Sequence, residues 1–475
     1  MQQTVTCKNY TTMLWTRPTV TTPKVVTRAK LIDSTRQEDA LTYNGALTNS
    51  TSLNNVVDMF FLAWASRTMS ESGILMVWTK AVTENKELAF RCLFWARDIR
   101  GGAGERRFFQ TIWNSLDKND VKHYEQFVPT YWRWDDLHET SLDFIVSKFR
   151  EWDESYMGLL AKWTPRKWKV FEYIRKELWL SPKEFRKILV DNTNVVEQLM
   201  SFKQWDMIDY GKIPSQAFNK YKKAFYRNDQ ARFEAFFTEK PEQIKSDTLF
   251  PYQLYESFDK WENPTIIDAQ WANLPNYVGQ GKSFLPVCDV SGSMSGLPMS
   301  ISVSLWVYLS ERNQSSFKDA FITFSKNPVM QYLQGTVTQR FRQLNRAQWD
   351  MNTDLMKVFS LILNTAVRDN LTQKDMPDSI LIISDMEFDE ACRGRTNYQT
   401  IKVMYESAGL KMPNIVFWNV NGRVWNSPVK YNESGTALVS WASPAIIKSL
   451  LGWEDMSPIG IMMKTLNSER YLPIK

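Results

Sequence analysis

FLPVCDVSGSMSGLPM, residues 284–299, decides the fold. An apolar run from Phe284 to Cys288 stops at Asp289, and small polar residues follow at once. The next stretch, MSISVSLWVYLSER, has the composition and length of a helix. An apolar strand that turns through a short polar loop into a helix is the unit of a mostly parallel sheet covered on both faces. Downstream, DAFITFS, SILIISD and NIVFWNV are further short runs of buried-strand type. TDLMKVFSLILNTAVRD and YQTIKVMYESAG supply the intervening helices. Residues 281–475 are therefore expected to form an α/β, doubly wound, Rossmann-like domain.

In such a sheet ligands bind where loops leave the carboxyl ends of strands. Asp289 stands directly after the first strand, and Ser291 and Ser293 follow at two-residue steps across a loop eased by Gly292. Asp385 ends SILIIS in the same way, and Thr353 in WDMNTD lies just before a helix. Carboxylate and hydroxyl oxygens without nitrogen or sulfur make a hard site, suited to Mg²⁺ or Mn²⁺. The plain alternative is a polar turn. A second alternative, an aspartyl phosphotransferase with Asp289 as nucleophile, wants another acid two residues on, where Ser291 stands.

Upstream the pattern changes. Residues 1–41 read as a flexible basic tail, rich in Thr and short of periodicity. Residues 42–238 are helical: SLNNVVDMFFLAWASRT, ELAFRCLFWARDI and RRFFQTIWNSL repeat large apolar residues every three or four positions. SPKEFRKILV begins with Ser181 as N-cap, Pro182 at the first helical position and Glu184 closing a capping box. In IPSQAFNKYKKAFYR, Ala217, Phe218, Tyr221, Ala224 and Phe225 are expected on one face and the lysines on the other. Successive amphipathic helices predict an all-α, HEAT-like array of stacked pairs. Across 239–280 prolines recur and periodicity fades, which suggests a linker or packed connection.

Bulk properties narrow the function. No apolar run approaches the roughly 18–20 residues that span a bilayer, and the polar start MQQTVTCKNYTT lacks the core of a signal peptide. These features predict a cytoplasmic protein with no membrane role. The four cysteines show no zinc or CxxC spacing, and two histidines, His123 and His138, argue against imidazole-based hydrolysis. No P-loop is present. The formal charge of +6 lies wholly in residues 1–250, with 37 Lys+Arg against 31 Asp+Glu, since 251–475 carry 21 of each. Residues 162–187 hold nine basic and three acidic side chains, and 212–232 hold six and one. Local basic excess suggests a polyanionic partner; solvated helix faces are the competing account.

DVSGSM, NTDLMKVF and SDMEFD together resemble the metal-ion-dependent adhesion site of von Willebrand factor A domains. The resemblance implies that Asp289, Ser291, Ser293, Thr353 and Asp385 surround one divalent ion. RDIRGGAGERRFF, VPTYWRWDDL, LLAKWTP and EFRKILVDNTNVVEQLM extend it. They are similar to a family of plant and large-DNA-virus proteins that in turn resembles the Ro (TROVE) RNA-binding proteins. The likeness covers about residues 42–475. It implies a ring of paired helices closed by a von Willebrand A domain, with RNA as partner.

RNA binding needs basic groups for phosphates and aromatic rings for unstacked bases. The candidates are Arg97, Arg100, Arg106 and Arg107 around a glycine turn, Arg166, Lys167 and Lys169 among Trp163, Trp168 and Trp179, and Lys220, Lys222, Lys223 and Arg227. Aromatics at helical spacing also suit a core, and the glycines also suit a plain turn. Asp135 and Asp136 in WRWDD read as a salt-bridged helix start with Arg133. The expectation is a non-enzymatic protein that binds structured or misfolded small non-coding RNA, with the metal open to an acidic protein partner. The rival is a metal-dependent protein-interaction or structural component, such as one of a viral particle, without RNA. A nuclease would need more carboxylates near Asp289, and only Glu387 and Asp389 offer themselves. The oligomeric state is left open.

Overall fold

The first described segment is a two-stranded ribbon, β1 (Ala40–Leu41) and β2 (Leu47–Thr48), antiparallel across a turn. The computed structural model describes residues 39–475 except 194, 261, 279–282, 325–326, 347–353, 390–395, 422–425, 441 and 443–455. The tail expected before the ribbon lies, up to residue 38, outside the described residues.

The sheet comprises β3 (Phe284–Cys288), β4 (Ala320–Thr323), β5 (Met330–Tyr332), β6 (Ser379–Ser384), β7 (Asn414–Asn419) and β8 (Thr436–Ser440). Its order is β5-β4-β3-β6-β7-β8, parallel throughout except for β5, which runs against β4. Every residue of β3, β6 and β8 is buried. Successive strand side chains point to opposite faces, so both faces are covered, as the unbroken apolar runs predict. The chain builds outward from β3 to β5 on one side, then restarts at β6 on the other side. The order therefore reverses between β3 and β6, the switch point at which sheets of this kind place their ligands.

The helical part follows its caps. Ser70, Asn85 and Asp117 accept from amides of the first turn of Glu71–Glu84, Lys86–Arg97 and Lys118–Tyr124. Ser181, Pro182 and Glu184 form the expected start of Pro182–Asp191, with both halves of the capping box present. The segment 239–280 is a packed connection and carries the helices Pro251–Asp259 and Pro264–Ala272. Each opens on its proline, which is where a helix tolerates one. Tyr255 and Trp271 pack edge-on against Phe341, and Trp271 Nε1 donates to Glu311 (2.6 Å).

Residues Glu38–Lys475 form one compact unit, because both ends of the helical array are seated on the α/β part. At the first end, Asn49 and Ser427 exchange backbone hydrogen bonds and the Trp64 amide donates to Ser440 Oγ (3.2 Å). At the last end, Pro251–Asp259 packs on the helix Leu297–Arg312, which itself covers β3. The C-terminal segment then returns to the first helices. Arg91 Nε donates to Ile474 O (2.9 Å) and Nη1 to Asn467 Oδ1 (2.6 Å). One apolar core runs from Val56 through the sheet to Ile474, and a smaller one around Phe218, Phe225 and Phe233 serves the later helices.

Candidate metal centre and basic surface

Asp289 and Asp385 directly follow the carboxyl ends of adjacent strands at the switch point. The β3–β6 register places Cys288 opposite Ile383, and the Asp289 amide donates to Ile383 O (3.0 Å). Both aspartates are buried. Asp289 accepts from the Ser291 amide (2.9 Å) and from Ser384 Oγ (2.7 Å). The Ser291 and Ser293 hydroxyls lie 2.9 Å apart. Burial pushes the Asp289 carboxyl up to about 6, the Asp385 charge adds to this, and the Ser384 and Ser291 hydrogen bonds pull it back.

The structure thus brings together Asp289, Ser291, Ser293 and Asp385, whereas Thr353 lies outside the described residues. Its neighbour Asp354 caps the helix Leu355–Arg368. Among the described residues no three His, Cys, Asp or Glu side chains gather as a metal-binding group. A cation here would rely on the serine hydroxyls. The donor set suits one: all oxygen, with two buried carboxylates whose mutual repulsion a divalent ion would reverse. Ser384 is a contributor that sequence reasoning missed; its signal was a hydroxyl directly before the strand-end aspartate. Glu387, considered above for a nuclease, is buried and accepts from the Tyr43 amide (2.5 Å) and Asn426 Nδ2 (3.4 Å). It holds the N-terminal ribbon to the loop that bears Asp385.

The basic candidates divide. Arg97 is buried and paired to Asp136 (2.9 Å), so it is part of the core and not of a phosphate surface. Arg106 spans Asp135 (2.9 Å) and Asp136 (3.5 Å), and Arg133 joins Asp135 (3.2 Å), which makes WRWDD the ion-paired helix start expected of it. Arg107 donates to the carbonyls of Ser66, Arg67 and Met69. Arg166 donates to those of Ala161, Thr164 and Leu189.

Lys222, expected on the solvent face, is instead 5% exposed and paired to Glu262 (2.5 Å), which also takes Lys223 (3.2 Å). The reason is spacing: Phe218, Lys222 and Phe225 stand four and three residues apart and share one helix face. Arg100, Lys167, Lys169, Lys220 and Arg227 are exposed and make no salt bridge among the described residues, though Lys220 lies over the Tyr221 ring and within the field of Glu197.

The glycine turn is structural. The amides of Gly102, Ala103, Gly104 and Glu105 donate to carbonyls at the end of Lys86–Arg97 and to Asp98 O, so none of these four points to a phosphate.

A family model described as a domain of unknown function (DUF7788) matches residues 283–468, and a second so described (DUF2828) matches residues 164–280. Both are domains without an assigned activity. The chain is 24% identical over 493 aligned positions to the uncharacterized protein L728 of Acanthamoeba polyphaga mimivirus, covering 88% of this chain and 85% of that one. Among solved structures it matches the Ro (RSR) protein of Deinococcus radiodurans. That match has 12% identity and a TM-score of 0.39, over 86% of this chain and 93% of that one.

Proposed function

We propose that the chain is a non-enzymatic RNA-binding protein of the Ro type. Its helical array meets RNA, and its α/β part carries one Mg²⁺ or Mn²⁺ at Asp289, Ser291, Ser293 and Asp385. One observation carries the RNA reading: Lys167, Lys169, Lys220 and Arg227 stay exposed and outside any salt bridge among the described residues, while neighbouring cations are tied down. Side chains free of internal ion pairs are the ones that can exchange counterions for phosphates. The sequence resemblance to the Ro proteins and the helical array seated on an α/β sheet support the same reading.

The test is titration of a structured RNA with a single-stranded 3′ tail against salt. Log affinity is expected to fall linearly with log salt, and neutralising Lys167, Lys169, Lys220 and Arg227 together should flatten the slope by about 3. Absence of binding at low salt overturns the reading.

The metal supplies, when bound, a Lewis-acidic charge that captures a carboxylate or phosphate. Asp289 and Asp385 would hold it, and Ser384 keeps Asp289 oriented. Mg²⁺ or Mn²⁺ is expected to raise the melting temperature by mass action, about 2.7 kcal/mol at a hundredfold excess over Kd. Asp289→Ala should abolish that rise, and a full rise in the variant refutes the site. A second reading, metal-dependent docking of an acidic protein without RNA, is favoured by the internal pairing of Arg97, Arg106 and Lys222. The salt titration separates the two.

A further inference from the structure

Three tryptophans in one short stretch have left-handed backbones: Trp152 (φ 52°), Trp168 (φ 76°) and Trp179 (φ 59°). Trp152 and Trp179 follow the ends of the helices Leu142–Glu151 and Trp168–Glu177, and Trp168 opens the second. Glycine or asparagine is the usual residue where a helix ends this way, and a bulky side chain there is strained. Burial does not repay the strain, because the three residues are 47%, 72% and 92% exposed. Tryptophan ordinarily brings the largest apolar area to a core. Strain held without burial is a mark of a working surface.

The ground beneath Trp168 is fixed. Arg166, two residues earlier, donates to Ala161 O (2.7 Å), Thr164 O (2.6 Å) and Thr193 Oγ1 (3.2 Å), and Arg186 Nε donates back to Arg166 O (3.3 Å). Lys167 and Lys169 flank the ring in solvent, and Lys167 Nζ lies 5.1 Å from its centroid. At the other end of the helix, Arg150 Nη2 donates to Glu177 O (2.7 Å), which ties the helix end before Trp152 to the one before Trp179. The surrounding residues 162–187 carry nine basic and three acidic side chains. A rigid, positive surface with exposed indoles, one of them with an ammonium over its ring, complements a flexible polyanion that has planar rings.

We propose that Trp168 and Trp179, at the two ends of the helix Trp168–Glu177, are stacking platforms for unpaired bases of an RNA strand, with Lys167 and Lys169 on its phosphates. The proposal rests on the RNA-binding reading and narrows it to a site and a ligand form. Bases in a duplex already stack on one another, so the surface selects single strand. A ten-residue helix is about 15 Å long, the span of about four nucleotides at a 3.4 Å stacked rise.

The experiment measures binding of a labelled oligouridine and of a blunt RNA hairpin by anisotropy, with the full chain and with Trp168→Gly and Trp179→Gly. Glycine removes the ring and relieves the backbone, so both variants should melt at or above the parent. Each should bind oligouridine about tenfold more weakly, with an unchanged salt slope and unchanged hairpin affinity. Trp168→Phe, which keeps a ring, should recover part of the loss. Lys167→Ala with Lys169→Ala should instead flatten the slope by about 1.4.

Oligouridine affinity that both tryptophan variants leave intact discards the platforms and spares the RNA reading. Absence of binding by either RNA at low salt overturns both. A lower melting temperature in the glycine variants assigns these rings to the fold and overturns the proposal. So does loss of binding to phosphatidylserine vesicles with oligouridine affinity unmoved, which assigns the surface to a membrane.

Discussion

A carboxyl group held out of water keeps its proton longer, and Asp58 in the helix Asn55–Leu62 is held out in this way. Burial pushes it up to about 6, against which hydrogen bonds from Ser52 and Thr51 pull only partly. Between its ordinary range and about 6, the folded chain binds the proton that the unfolded chain has released, so stability falls as pH rises through that window. Above the window the whole penalty is present. Asp58→Asn keeps an acceptor for the Ser52 amide and gives Thr51 a donor. It is expected to exceed the parent at pH 7 by at most about 3 kcal/mol and to match it near pH 4. Urea midpoints of both proteins at the two pH values check this, and an equal difference at both would refute it. Lys222 shows why such positions elude a reader of sequence. It was expected in solvent with the other lysines, because its partner Glu262 lies forty residues on, in the connection between two later helices.

At the level of elements, β3, β4, β6 and β7, the Ser181 cap and the strand-end aspartates were legible, because each follows from a few neighbouring residues, whereas β5 and β8 were not anticipated. The helices Pro251–Asp259 and Pro264–Ala272 were harder to see, since a proline reads as a breaker until its place at the first helical position is known. The turn after Lys86–Arg97 was read two ways, as a phosphate approach or as a plain corner, and its hydrogen bonds decide for the corner. A Cβ on Gly102 would lie 1.9 Å from Trp95 O, so the backbone itself requires glycine there. Gly102→Ala is expected to destabilise the protein by about 3 kcal/mol through overpacking, read as a lowered urea midpoint. An unchanged midpoint would mean the turn can move aside. The exposed tryptophans were visible as residues but not as surface, because periodicity gives a helix face and not what covers it.

Across the whole molecule, the contacts that join its two halves link residues hundreds of positions apart, and no local pattern encodes them. Buried Asp98 takes an ion pair from Arg470 and a hydrogen bond from Tyr471 OH (2.9 Å). Arg470→Ala leaves that carboxylate with one hydroxyl and the Arg100 amide. It is expected to cost about 2–3 kcal/mol. Adding Asp98→Asn should return part of this, and a double-mutant cycle with zero coupling would show that the pair is idle. The same clasp bears on how the protein is made. Arg91 and Asp98 each emerge from the ribosome more than 370 residues before the partners that complete their pairing, Asn467 and Ile474 for the first and Arg470 and Tyr471 for the second. Until then, among the described residues, Arg91 has only Glu87 of its own helix and Asp98 only the Arg100 amide, so a chain whose synthesis stalls before residue 467 would leave the first helices open to chaperones and proteases.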